Sequence, residues 1–170
     1  EAYGVKARIF GGRTYVSLRD RKALSDAELL LAGWRHEGPA FLKRINGSFS
    51  AVIWDADCRE ATIVTDRFGN RPLYYAVVNG RLLVSSRLKS FTADPDFSLA
   101  TDPRGMAQFF TFGQYLGEHS SLGAARLLPA AALWTWHADR AAWTKSNYHS
   151  WAEAYDLRFS SSKDWIDAIG

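Results

Sequence analysis

Apolar and polar positions change period along this chain, and the changes mark out its elements. Behind Ser25-Asp26-Ala27-Glu28, the residues Leu29, Leu30, Leu31 and Trp34 form an apolar face. The S-x-x-E spacing is that of a capping box, in which Ser25 and Glu28 satisfy each other's backbone donors, so a helix is predicted from Ser25 to Trp34. Gly38 and Pro39 end it and open a second short helix, with Phe41, Leu42 and Ile45 facing inward. After Asn46-Gly47 the period drops to two. Phe49, Ala51 and Ile53 alternate with Ser48, Ser50 and Val52, which predicts a strand, and after a turn at Asp55-Ala56-Asp57 a second strand runs from Ala61 to Thr65.

Gly69 and Pro72 place a loop before the next pair of strands. Leu73 to Val78 and Arg81 to Ser86 flank Asn79-Gly80, a dipeptide that supplies the two positive φ values of a type I′ hairpin turn. Asp102-Pro103 predicts a helix to Phe110, with Asp102 as cap and Pro103 as first residue. Ala131 to His137 reads as a further strand. The two ends are less regular. In residues 1 to 24 the signals are a Gly11-Gly12 turn and a short strand at Thr14-Tyr15-Val16. From Lys145 onward the pattern loosens, Ser160-Ser161-Ser162 reads as a linker, and Asp164 to Ile169 as the first turns of a helix. No internal repeat is visible. The expected fold class is α+β, mostly antiparallel, with an inter-domain linker near the end.

Composition narrows the classes. The 170 residues are 47% apolar, 14% aromatic and 23% charged, enough for one domain with a sizeable core. No apolar run approaches the ~18 residues of a membrane-spanning helix, so no membrane partner is expected. The mixed, charged stretch Glu1 to Arg8 reads as neither a signal nor a transit peptide. One cysteine allows no intrachain disulfide and no cysteine-based zinc site, which favours a reducing cytoplasm. The net charge is +3, but residues 1 to 24 hold six basic and two acidic residues, so the rest of the chain is slightly acidic. Those basic residues lack interleaved stacking aromatics, so a solvated or partner-facing edge is expected rather than a nucleic-acid surface.

Candidate chemistry is sparse. His36, His119, His137 and His149 are far apart and show no metal-ligand spacing. Gly11-Gly12 is too short a signal for a phosphate loop. The seven tryptophans read as core and interface mass. Cys58 sits at the tip of a predicted hairpin, where Asp57 and Glu60 would raise its pKa and Arg59 would only partly offset them. Asp66 and Arg67 precede a turn and are expected to form an ion pair that holds it.

Three stretches stand in a recognisable order: Ser25-Asp26-Ala27-Glu28-Leu29-Leu30, Ile45-Asn46-Gly47-Ser48-Phe49-Ser50-Ala51-Val52-Ile53-Trp54-Asp55, and Thr65-Asp66-Arg67-Phe68-Gly69-Asn70-Arg71-Pro72-Leu73-Tyr74-Tyr75. Together they resemble the glutaminase domain of the asparagine synthetase family, a class II glutamine amidotransferase. The resemblance covers roughly residues 25 to 136. It implies an N-terminal-nucleophile hydrolase fold, a four-layer αββα sandwich of antiparallel sheets, here incomplete at its N-terminus. It also implies glutamine as substrate and a synthetase domain as partner. An N-terminal cysteine attacks the glutamine amide with its own α-amino group as base, and the ammonia passes to the ATP-dependent synthetase domain.

Under that resemblance residue 1 is glutamate where a nucleophile would stand, so no catalytic residue is expected in this chain. Glu1-Ala2-Tyr3 is similar to the family's G-E-[IL]-Y-N element, which follows its oxyanion residues. Asp26 matches the aspartate that grips the glutamine α-ammonium, and Glu1 a neighbouring glutamate; Asp26 has a second reading as a cap of the helix beginning at Ser25. Residues 1–145 then form a partial amidotransferase domain, and 146–170 a linker with the start of a synthetase helix. The S-G-G-x-D-S nucleotide loop is absent, so no cofactor is expected here, and ATP and Mg²⁺ would serve only the synthetase domain. Arg87, Ala130 and Asn70 depart from the family's usual glutamate, glycine and aliphatic residue. They point to a divergent member. The leading rival is a non-catalytic scaffold, as in β-lactam synthetases and lasso-peptide cyclases, which keep this fold without hydrolysing glutamine. Without the first strands of that fold, exposed sheet edge and apolar face would call for self-association into a homo-oligomer or for a covering partner.

Overall fold

A computed structural model describes residues 5–10, 14–15 and 25–152. Gly11-Gly12, Glu1 and the linker and helix expected at 160–169 lie outside them. Within them the capping box forms as the sequence predicts. Ser25 caps α1 (Asp26–Glu37), Ser25 N donates to Glu28 Oε2 at 2.7 Å, and Glu28 N donates back to Ser25 Oγ at 3.4 Å. Gly38, at φ 60, ends the helix. A 3-10 helix (Gly38–Arg44) follows, and Phe41, Leu42 and Ile45 are buried as expected. A Cβ on Gly33 would lie 2.3 Å from the Phe41 ring, so this glycine lets the two helices close on each other.

The strands are β1 (Val5–Phe10), β2 (Thr14–Tyr15), β3 (Asn46–Gly47), β4 (Ser50–Asp55), β5 (Glu60–Thr65), β6 (Tyr74–Val78), β7 (Arg81–Ser85), β8 (Arg126–Leu127), β9 (Ala132–His137) and β10 (Ala142–Asn147). A second 3-10 helix spans Leu88–Ala93, and α2 spans Pro103–Phe112. All pairings between these strands are antiparallel. One sheet has five strands in the order β1-β4-β5-β9-β10, another has three in the order β7-β6-β8, and β2 pairs with β3. The β6–β7 turn is the predicted one, with Asn79 at φ 50 and Gly80 at φ 74. The sequence reading did not contain β10, whose Ala-Trp-Thr-Lys-Ser-Asn has no apolar alternation. As an edge strand it needs none, because the ladder to β9 defines it.

Strand alternation sorts side chains into stacked apolar clusters. Ala51, Ile53 and Val64 lie on one face of the larger sheet and pack with Leu30, Phe41, Leu42 and Tyr148. Val52, Ile63 and Trp134 lie on the other face and pack with Leu73, Tyr75 and Leu128. On the far side of β6, Ala76 and Val78 pack with Phe91, Phe97 and Ala125. The fold is therefore α+β, with the larger sheet between α1 and the smaller sheet's residues. No helix among the described residues is long and apolar enough to cross a membrane.

The helix α2 is held at its start. Asp102 Oδ1 accepts from Arg104 N at 2.9 Å, and Asp102 Oδ2 lies 2.7 Å from His119 Nδ1. A Cβ on Gly105 would sit 1.8 Å from the Ser120 carbonyl oxygen, so α2 rests directly on backbone there.

Candidate functional site

Two places concentrate the residues that the sequence singled out. The first is the opening turn of α1. Ser25, not Asp26, is the cap, and Asp26 is the first helical residue, half-buried and outside the capping box. Glu28 is held by both the backbone and the hydroxyl of Ser25, and these bonds lower its pKa. Of the two carboxylates expected to bind glutamine, Asp26 is thus placed on a rigid turn, and Glu1 lies outside the described residues.

The second is the turn after β5, where Asp66 is the centre. Its carboxyl is buried and accepts only N–H donors: Phe49 N on Oδ2 at 3.2 Å, and Phe68 N and Asn70 N on Oδ1 at 2.9 and 3.3 Å. Its backbone accepts from Gly69 N and Ala131 N and donates to Phe49 O. Thr65 Oγ1 donates to Pro129 O at 2.6 Å and accepts from Ala132 N, and the Tyr148 hydroxyl donates to Thr65 O at 2.9 Å. Burial and the Asp66 charge push the Tyr148 phenol pKa up. Segments 49, 65–70, 129–132 and 148 are thereby tied into one node. The expected ion pair is not part of it. Among the described residues no ion pair joins Asp66 to Arg67, and the Arg67 guanidinium donates instead to the Lys43 carbonyl. Backbone amides reach the carboxyl first because the turn wraps around it.

Cys58 lies at the other end of β5, about 20 Å away at ~3.3 Å per strand residue. It is exposed on the turn between β4 and β5. Asp55 Oδ1 accepts from Asp57 N and Cys58 N, and the Asp55 charge is the largest cause of a raised thiol pKa, ahead of Glu60 and Asp57. The sequence reading named the last two and missed Asp55, which reaches the thiol only because the turn folds back on its side chain. Arg59 offers little relief, since its Nε pairs with Asp139 at 2.8 Å.

Beside the Asp66 node opens a cleft of about 510 Å³ between the 66–72 turn and the end of α2, lined by Phe68, Pro72, Tyr74, Phe109, Tyr115 and Pro129 among others. None of its lining residues is charged. Burial first, then the neighbouring Tyr115, raises the Tyr74 pKa. The sequence held a signal for this cleft in the aromatic run Phe109-Phe110-Thr111-Phe112 at a helix end. The histidines are apart in space as in sequence: His119 meets Asp102, His137 bridges Glu60 and Thr144, and His149 packs on Trp151. Among the described residues no three His, Cys, Asp or Glu side chains gather to hold a metal ion.

Comparison with known proteins places this geometry. A family model described as a glutamine amidotransferase domain matches residues 15–149. The glutamine-hydrolysing asparagine synthetase 1 of Bacillus subtilis is 31% identical over 127 residues, covering 68% of this chain and 20% of that protein. A putative glutamine-hydrolysing asparagine synthetase of Mycobacterium bovis is 32% identical over 135 residues, covering 70% and 21%. The amidase chyE of Penicillium rubens is 42% identical over 69 residues, covering 41% and 10%. The matched stretches thus span between a tenth and about a fifth of these relatives' length.

Proposed function

The chain belongs to the glutamine amidotransferase domain family of the asparagine synthetases, and from that premise we propose that it is the glutamine-handling part of an asparagine-synthetase-like enzyme. In this reading the whole protein splits the glutamine side-chain amide and uses the ammonia for ATP-dependent amide formation. The observation that carries the substrate assignment is the match of residues 15–149 to a glutamine amidotransferase domain. Asp26 is the first residue of α1, behind the Ser25 cap, and in this reading its carboxylate holds the glutamine α-ammonium by a charge-assisted hydrogen bond. Glu1 would supply a second carboxylate. The order of the apolar clusters, from α1 through two sheets to the far side of β6, supports an αββα layering of the N-terminal-nucleophile hydrolase type.

Splitting an amide by this route needs a thiolate with a base beside it. The one thiol of these 170 residues is exposed among carboxylates that hold it protonated, so these residues by themselves are inactive on glutamine. ATP and Mg²⁺ belong to the amide-forming half. The described residues offer no donor cluster that fits the metal.

The same exposed thiol favours a second reading, a scaffold domain that supports an amide-forming partner without hydrolysing glutamine. Glutamate release from L-glutamine by the intact protein separates the two. The first reading expects release that survives Cys58→Ala, while Asp26→Asn raises KM at least about 10-fold, the loss of one charge-assisted contact. Amide formation without any glutamate release would leave the scaffold reading standing.

A further inference from the structure

Glu60, His137 and Thr144 meet on one face of the larger sheet, on three neighbouring strands. Glu60 and His137 are directly opposite each other across β5 and β9, and Thr144 lies two residues along β10 from Ala142, the partner of His137. Strand alternation puts all three on the same side. His137 Nδ1 lies 2.6 Å from Glu60 Oε1, and His137 Nε2 lies 2.8 Å from Thr144 Oγ1. An ionised carboxylate only accepts, so Nδ1 carries the proton and donates to Glu60. The neutral imidazole then keeps Nε2 as an acceptor, and the Thr144 hydroxyl donates to it. Thr144 is exposed, while the His137 side chain is 16% exposed.

A hydroxyl bonded to an imidazole whose far nitrogen is fixed by a carboxylate is the arrangement that activates a weak oxygen nucleophile. The hydroxyl proton has a base to go to, and the imidazolium that forms has a counter-charge beside it. In the described sheet β10 is an edge strand, so alternate N–H groups along it are unused by the ladder, and one lies at Thr144 or at each of its neighbours. Such a donor is available to a developing oxyanion. Thr144 stands on an open edge, where electrostatic stabilisation of a transition state is weak, so the leaving group must be a good one. Aryl esters meet that condition and amides do not.

We propose that Thr144, His137 and Glu60 form an acyl-transfer site for activated carboxylic esters. Thr144 Oγ1 attacks the ester carbonyl carbon, and its proton passes to His137 Nε2. The bond to the aryl oxygen breaks, and the phenol leaves with that proton. Water then attacks the acyl-threonine with His137 as base, the bond to Thr144 Oγ1 breaks, and the threonine regains a proton, so the products are a carboxylic acid and a phenol. Glu60 touches no reacting atom and is a positioning residue. The site uses none of the residues assigned to glutamine, so it stands or falls apart from that reading. Hydrolysis of p-nitrophenyl acetate by the full chain carrying Cys58→Ala, which removes the thiol as a competing nucleophile, tests it. Phenol release above the buffer rate is expected, with the acetyl group mapped to Thr144 by mass spectrometry. Thr144→Val keeps the branched shape on an exposed strand position, and His137→Gln removes the base; each lowers kcat/KM by about 100-fold. Thr144→Ser keeps the hydroxyl and retains the activity. Glu60→Gln lowers kcat by about 10-fold and leaves KM unchanged, a split that a merely structural role would not give. No release above buffer, release that survives Thr144→Val, or the acetyl group on another residue such as Lys145 overturns the proposal.

Discussion

Asp66→Asn tests whether the turn after β5 is held by a buried carboxylate or merely packed in place. In the native turn Oδ1 takes Phe68 N and Asn70 N, while Oδ2 takes Phe49 N alone. An asparagine keeps one acceptor. Its oxygen stays where two donors converge, and its NH₂ must then face the Phe49 N–H, donor against donor. Phe49 is 1% exposed, so water cannot replace the lost acceptor. An unsatisfied buried donor costs about 1–3 kcal/mol, and losing the charge on the remaining bonds adds roughly 1 kcal/mol. Relief from burying a carboxylate returns part of this, leaving a net loss of about 2 kcal/mol from a total of ~5–15 kcal/mol. With a urea slope of ~2 kcal/mol/M, the midpoint falls by about 1 M. Asn70→Ala serves as comparison, because it removes only a long 3.5 Å contact to the same oxygen and leaves the backbone donors in place. Its midpoint stays within about 0.25 M of the parent. If Asp66→Asn unfolds no earlier than Asn70→Ala, the carboxylate is not what holds the node, and the reasoning fails.

Three further outcomes follow from the structure. Tyr75 and Tyr148 have pKa values raised above 10.0, chiefly by burial, so their stabilising effect is complete below the unfolded-state value and is lost as pH rises beyond it; urea midpoints decline above pH ~10, and Tyr148→Phe shows a shallower decline at a cost of about 1 kcal/mol at neutral pH. Cys58, its pKa raised by Asp55, is alkylated by iodoacetamide with a rate midpoint above that of a free cysteine, and Asp55→Asn brings the midpoint down. Ala141, exposed at φ 47 in the β9–β10 turn, occupies a conformation that costs a non-glycine residue about 1 kcal/mol; with about 0.5 kcal/mol returned to the freer unfolded chain, Ala141→Gly raises the melting temperature by about 1–2 °C.

The elements most legible in the sequence are those set by local rules. The capping box at Ser25 and Glu28, the Asn79-Gly80 turn and the Asp102-Pro103 helix start each depend on chemistry within about four residues, and each stands where its spacing puts it. What the sequence left illegible depends on distant partners. The strand β10 exists because β9 offers it a ladder, and the Lys145 ammonium lies 3.7 Å above the Trp134 ring only because that ladder brings them together. Asp66 and Arg67 are neighbours of opposite sign, so pairing them is the natural local reading. The carboxyl instead serves amides from Phe49, seventeen residues earlier, and the guanidinium serves Lys43, and neither partner has any signature in the motif itself.

This division explains what the D-R-x-G-x-[KR]-P-L-Y-Y motif can and cannot say about chemistry. Asp66 is taken up by Phe49, Phe68 and Asn70, Arg67 by Lys43, Gly69 by a backbone bond to Asp66, and Tyr75 by Glu118 at 2.7 Å. The polar groups named here thus join the start of β4 to the starts of β6 and β9, while Phe68, Pro72 and Tyr74 of the same stretch line the cleft. The motif's presence argues for the scaffold and carries no information about whether an amide is split. In the proposed reading, function turns on residues with a weaker sequence signature: an aspartate on the first turn of α1, and a thiol poised beside a base. Cys58 meets the opposite condition, since every ionised neighbour that moves its pKa moves it upward. A chain of this family can thus keep all of its most visible motif while its capacity for hydrolysis is decided elsewhere, which is why glutamate release rather than sequence likeness is the discriminating measurement.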